Sequence, residues 1–437
     1  MNFTRRNFLK TSAGLTLLGA LPHLPAAPSP LTPPNEKIQK ARDVALSVLK
    51  PSQKDLEHGL ELHANSLVFE SYGFAPRAAI DGDAFRAAIE AGASDTELAD
   101  LREEMSMTRW ATNAAERKEF LEAFRAAGVT CIFQNAGEEG NDPTRLMKRL
   151  ARFTYSTDLM RDEMFKAVKP DDIVAAKKQG KLCLYFTTNG VPLRQQWNNV
   201  RDELGYIRIF HQFGIRMMHL AYNRRNPLGD GCGEPNDGGL SDFGRAAIEE
   251  MNRVGVIVDV AHSGWRTSLE AAKASKKPMV ASHTTAASLY KHFRGKPDEV
   301  IRAICDTGGL VGVCCIPRFL GGAGDINVFL NHIEHIVKTF GAGHAAIGMD
   351  TAYSSRNDEA ERKKISKLPS GRSAGGRWEH LWPADSGKSA SHAVASLAWT
   401  NWPLFTVGMV QRGFKDDDIR KILGGNILRV ARANFAG

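Results

Sequence analysis

Eight short apolar runs, each separated from the next by amphipathic or polar sequence, constrain this chain more than any other feature: Leu60–Val68, Val129–Asn135, Leu182–Asn189, Ile215–Asn223, Val254–His262, Pro278–His283, Leu310–Ile316 and Ala345–Asp350. They are rich in Val, Ile, Cys and Phe and lack the strict alternation of a sheet wetted on one face. Continuous apolar strands belong to parallel sheets covered on both faces. The intervening segments read as helices. In Asp242–Val254 apolar residues recur at helical spacing, with Asp242 placed as N-cap. Pro297–Thr307 opens with Pro and two acids and closes before Gly308 and Gly309. Eight β-α units in series predict the α/β class and a closed (β/α)8 TIM barrel, one domain over 37–437. An open doubly wound sheet is the alternative, though no phosphate-cradling Gly loop follows any strand. Two insertions interrupt the series. Residues 70–118 hold acid-rich helical material, and 351–390 are polar, basic and rich in Gly and Ser. The second lies where barrel loops cover an active site, so it reads as a lid or as a plain surface loop.

The N-terminal 27 residues read as a targeting signal. Arg5 and Arg6 precede Phe8 and Leu9, and an apolar stretch too short to span a bilayer leads to a small-residue site near Ala26 or Ala27. Paired arginines in this setting mark the twin-arginine export route, with an uncleaved anchor as the alternative. The expected location is therefore periplasmic or otherwise outside the cytoplasm. Proteins on this route fold before export, which favours a metal acquired in the cytoplasm. A proline-rich stretch, 28–36, follows the signal. No other apolar run approaches the ~18 residues of a membrane helix, so no stable membrane insertion is expected. The net charge is +8, from 57 basic and 49 acidic residues. Removing Arg5, Arg6 and Lys10 leaves 8 − 3 = +5, too small and dispersed an excess for nucleic-acid binding. Of the six cysteines, Cys131, Cys183, Cys314 and Cys315 sit inside apolar runs, as buried free thiols do. No spacing suits a zinc finger or a CxxC pair. One disulfide, and a homodimer, stay open.

The chemistry is written in the polar residues at the ends of these runs. His63 and Asn65, two apart on the first run, point the same way if it is a strand. Thr188 ends the third run with Asn189, Tyr222 the fourth with Asn223, His262 the fifth, His283 the sixth and Asp350 the eighth. In a barrel these ends meet at one mouth. His262 and His283 are 21 residues apart, one β-α repeat, so their imidazoles can share one metal ion. Asp350 is the acid best placed to move a proton. The plainer alternatives are hydrogen-bonded structural histidines and an aspartate that caps a helix. The remaining histidines, His219 among them, read as structural or surface residues, with a weak claim for His292.

At these residues the chain resembles the membrane (renal) dipeptidase family of zinc peptidases. The likeness runs through 238–264 (GGLSDFGRAAIEEMNRVGVIVDVAHSG), 276–304 with GGLVGV at 308–313, HAAIGMD at 344–350 and GFKDDDIRKILGGNILRVAR at 413–432. It implies a metal-dependent hydrolase barrel holding two zinc ions. One ion is held by a His-x-Asp pair on the first strand, the other by two histidines on the fifth and sixth, and a Glu on the third bridges them. By the resemblance His63 matches the first His, while His262 and His283 match the later pair. Asn65 stands for the Asp, and the bridging Glu falls at or beside Thr188. Two cations held close repel unless anionic ligands lie between them. With both carboxylates lost, one zinc at most is expected, nearest His262 and His283, or none. The resemblance further gives Arg294 as the grip on a substrate carboxylate, Tyr222 in place of a His that steadies the tetrahedral intermediate, and Asp350 as acid and base. The expected function is an exported hydrolase that cleaves a dipeptide or similar small amide with metal-activated water. The alternatives are a small-ligand-binding barrel without catalysis and a hydrolase of a lactone or non-peptide amide.

Overall fold

The computed structural model describes residues 35–137, 142–365 and 389–435. The signal segment and most of the second insertion, where the question of a lid rests, lie outside them. Eight parallel strands follow one another around a barrel: β1 Phe69–Gly73, β2 Cys131–Asn135, β3 Leu182–Thr188, β4 Ile215–His219, β5 Ile257–Asp259, β6 Val280–Ala286, β7 Leu310–Val313 and β8 Ala345–Ile347. Each pairs with its sequence neighbour; Cys131 lies opposite Cys183, and Ala345 opposite Val311. β8 returns beside β1, where the Met349 amide donates to the Glu70 carboxylate at 3.2 Å and the Asp350 amide approaches the Tyr72 carbonyl at 3.5 Å. The result is the nearly closed TIM barrel expected from the eight runs. Nearly every strand residue is buried, as strands covered on both faces must be.

Helices fill the connections. Asp242–Val254 forms over the expected residues, but its N-cap is Ser241, whose hydroxyl accepts from the Gly244 amide at 2.9 Å. Asp298–Asp306 follows Pro297. Trp402–Gln411 and Asn426–Asn434 complete the outer ring. Two glycines let β6, β7 and β8 approach closely: a Cβ on Gly312 or Gly348 would stand 1.9 or 2.1 Å from the Ser282 carbonyl oxygen. All six cysteines are free. Among the described residues no helix is long and apolar enough to cross a membrane.

The first run is the main correction. Most of Leu60–Val68 lies in a helix, Gln53–Asn65, capped by Ser52, and the first strand begins only at Phe69. Leu60 and Leu62 alternate like a strand, but Leu60 also lies one helical turn from Leu56, and the helix wins because it has a partner. Gly59 sits against Val407, where even a Cβ would come within 2.6 Å. The material placed in the 70–118 insertion consequently includes β1 itself; the added helices are Gly82–Glu90 and Asp95–Thr112. β3, β4, β5, β7 and β8 stop short of the C-terminal ends of their apolar runs, while β2 ends with its run and β6 continues past His283 to Ala286. Tyr222, His262 and Asp350 thus stand in the loops just above the barrel.

Candidate active site at the barrel mouth

Three imidazoles meet above the strands. His219 ends β4, His262 follows β5 and His283 lies within β6. All three are buried, and one ring nitrogen from each lies within 4.8 Å of the others. His262 Nε2 and His283 Nε2 are 2.9 Å apart. The outer nitrogens are held by protein oxygens: His262 Nδ1 by Asn223 Oδ1 at 2.7 Å, His283 Nδ1 by Ser282 Oγ at 2.8 Å, and His219 Nδ1 by the Thr188 carbonyl at 2.8 Å. Burial holds all three pKa values below the ordinary range for imidazole, and the nearby positive charge of Arg294 lowers them further. Neutral imidazoles are what a divalent metal binds.

Aromatic rings and strained backbone frame the cluster. Tyr72 of β1 stacks on His283 with centroids 3.7 Å apart, and its hydroxyl donates to Asn189 Oδ1 at 2.8 Å. Tyr222, half-buried, stacks on His262 at 4.2 Å. Asn223 and Asp350 have φ of 55° and 58°. Left-handed backbone is tolerated by Asn and Asp better than by other non-glycine residues, and it aims both side chains inward from the rim. Asp350 keeps partial solvent contact, yet surrounding protein pushes its pKa up to about 6 against the opposing pull of Arg294, Arg318 and Arg77. Arg294 is buried, donating to the carbonyls of Ala261 and, at 3.1 Å, of His283. Beside the cluster a cleft of about 580 Å³ opens between Cys232, Asp237, Trp265 and Phe293.

The structure brings together His262, His283, Tyr222, Arg294 and Asp350. It does not bring His63, Asn65 or the Thr188 side chain to them. His63 lies in the helix before β1, with Nδ1 2.9 Å from Thr406 Oγ1 and Nε2 2.9 Å from the Ala127 carbonyl. Ala127 precedes β2, so His63 sits at the opposite end of the barrel from His262 and His283. Asn65 is exposed at the end of the same helix. Thr188 contributes its carbonyl to His219, while its hydroxyl faces Gly137. Sequence reading missed Tyr72, took His219 as structural or surface, and placed Asn189 at the end of the third run without seeing its bond to Tyr72. The signal for His219 was a histidine closing the strand Ile215–His219 directly after Met217 and Met218; for Tyr72 it was the alternation of Tyr72 and Phe74 in VFESYGF (68–74), immediately after the helix.

Residues 83–369 match the family described as membrane dipeptidase, Peptidase family M19. The chain belongs to the membrane dipeptidase family. Among its relatives, the dipeptidase tcpJ of Claviceps purpurea is 25% identical over 280 residues, 63% of this chain and 56% of that protein. An uncharacterized dipeptidase of Schizosaccharomyces pombe is 31% identical over 204 residues, 45% of this chain and 47% of the relative. The matches thus span about half the length of these curated relatives. An amidohydrolase from Pseudomonas aeruginosa superposes with TM-score 0.64 at 25% identity, covering 87% of this chain and 99% of that one. A Rhodobacter sphaeroides metallo peptidase liganded with a phosphinate mimic of L-Ala-D-Ala superposes with TM-score 0.59 at 15% identity, covering 85% and 100%, and shows the fold.

Among the described residues, His219, His262 and His283 form a donor group that suits a divalent cation. The buried His219 Nε2 and Asp259 Oδ2 lie 3.1 Å apart, and neither has a further hydrogen-bond partner. Where the resemblance expects a His-x-Asp pair, Tyr72 near the end of β1 and Phe74 just beyond it stand two apart. Asn189, beside Thr188, is tied to Tyr72. A tyrosine ring stacked on His283 and a neutral amide offer no bridging carboxylate.

Proposed function

We propose that the protein is an exported metal-dependent hydrolase that cleaves a dipeptide or a comparable small amide. The observation that carries the proposal is the convergence of neutral imidazoles at the barrel mouth with Asp350 and Arg294 in the same field. His262 and His283 would hold a divalent cation, which would supply Lewis acidity for activating water. Asp350 is charged above about pH 6; it takes a proton from the attacking water and returns it to the leaving amine. Tyr222 presents a hydroxyl from a ring fixed against His262, a donor for negative charge developing on the carbonyl oxygen. Arg294 meets a substrate carboxylate with the N–H groups left after its two backbone bonds. Family membership and relatives named dipeptidases support the reaction class, and the paired Arg5 and Arg6 support export.

The test is hydrolysis of a panel of dipeptides, N-acyl amino acids and lactones with Zn2+, Mn2+ or Co2+ added. Turnover of an amide that Asp350→Asn abolishes supports the proposal. Tyr72, Phe74 and Asn189, where the resemblance expects a His, an Asp and a Glu ligand, favour a second reading, a pocket that binds a small ligand without turnover. Metal-loaded protein that binds dipeptides yet hydrolyses nothing in the panel selects it.

A further inference from the structure

We propose that His219 is a metal ligand, completing with His262 and His283 a centre for a single divalent cation bound by three imidazoles. The inference rests on the metal-dependent reading above and assigns a ligand outside the set that the resemblance implies. The argument starts from tautomers. A carbonyl oxygen only accepts, so the Thr188 carbonyl at 2.8 Å places the hydrogen of His219 on Nδ1 and leaves Nε2 as a bare lone pair. That Nε2 is buried without a hydrogen-bond partner, and the equally unpartnered Asp259 Oδ2 lies 3.1 Å away. Two buried acceptors facing each other are costly unless a proton or a cation joins them.

The neighbours favour a cation. Asn223 Oδ1 places the hydrogen of His262 on Nδ1 and frees its Nε2, and Ser282 Oγ can do the same for His283. The two freed Nε2 atoms are 2.9 Å apart, and the three imidazoles offer ligand nitrogens within 4.8 Å of one another. Histidines that bind metals characteristically anchor their second nitrogen on an oxygen, as all three do here. Three protein nitrogens with a remaining position open toward substrate describe a catalytic rather than a purely structural site. A second ion has no room or charge balance on the β1 side, where the Tyr72 ring stacks on His283 at 3.7 Å. The rival account is a protonated His219 paired with Asp259, with no metal contact.

Cobalt separates the two accounts. Full-length protein stripped with a chelator is titrated with Co2+, following the visible absorption and the heat of binding. One Co2+ per chain is expected. His219→Gln should weaken binding by about 100-fold or more, beyond the usual cost of an outer-shell partner, and change the visible spectrum; His63→Gln should change neither. Unchanged affinity and spectrum in His219→Gln overturn the His219 assignment alone and leave the metal-dependent reading standing. Wild-type protein that takes up no Co2+ overturns both, and two tight ions per chain overturn the single-cation centre. If His219→Gln does not fold, wild-type protein loaded with Co2+ answers by proton NMR: three paramagnetically shifted, exchangeable imidazole N–H signals support the proposal, and two overturn it.

Discussion

Replacing Asp350 by Asn should stabilise the protein at neutral pH while abolishing its activity. Burial raises the Asp350 pKa from 3.8 to about 6, so the folded state holds the proton more tightly than the unfolded chain does. A raised carboxyl pKa contributes stability that is fully present below about pH 4, fades as pH rises through 6, and is absent above that. Two units correspond to about 3 kcal/mol at 1.4 kcal/mol per unit, an upper figure because Asp350 keeps some solvent contact. Asn carries no ionisation to penalise and tolerates the φ of 58° at least as well as Asp. The stability advantage of Asp350→Asn over wild type should therefore grow by up to about 3 kcal/mol between pH 4 and pH 7.5. Urea unfolding of both proteins in chelator at several pH values measures it. An advantage that is flat with pH, or that shrinks as pH rises, refutes the reasoning about Asp350.

In the hydrolysis assay, wild-type kcat/KM should rise with pH to a plateau above about 6, as Asp350 ionises. His63→Ala should cost about 1–3 kcal/mol through unpaired buried groups, read by urea unfolding, with kcat/KM per folded molecule unchanged; a loss of turnover would return His63 to the site. Gly312→Ala should destabilise by more than about 3 kcal/mol or prevent folding, because its Cβ meets the Ser282 carbonyl at 1.9 Å; soluble yield and thermal melting report it. Arg5→Lys with Arg6→Lys should trap the protein in the cytoplasm, as cell fractionation would show.

The barrel was legible because burial on both faces leaves an unbroken apolar run, and eight such runs left little choice of architecture. The same rule failed at the first strand. Over Leu60–His63 the alternation of a strand and the spacing of a helix coincide, and only the packing of Gly59 on Val407 separates them. That single slip displaced His63 and Asn65 from the site and hid Tyr72. His262, His283 and Asp350 were legible because each closes an apolar run in the sequence. His219 was not, because a strand buried on both sides gives no sign of which residues face the barrel lumen. Asn189 became meaningful only once Tyr72 stood opposite it.

The meeting of His262 and His283 has a mechanical side. β5 and β6 share a single register pair, Asp259 with Val280, so beyond it no ladder fixes how far apart their tips stand. Two side chains do so instead. Asp259 Oδ1 accepts from the amides of Ala261 and Ser282 at 2.9 and 3.0 Å, and Arg294 reaches the carbonyls of Ala261 and His283. If Arg294 anchors a substrate as proposed, that contact also pulls on the rivet that sets the gap between the two imidazoles.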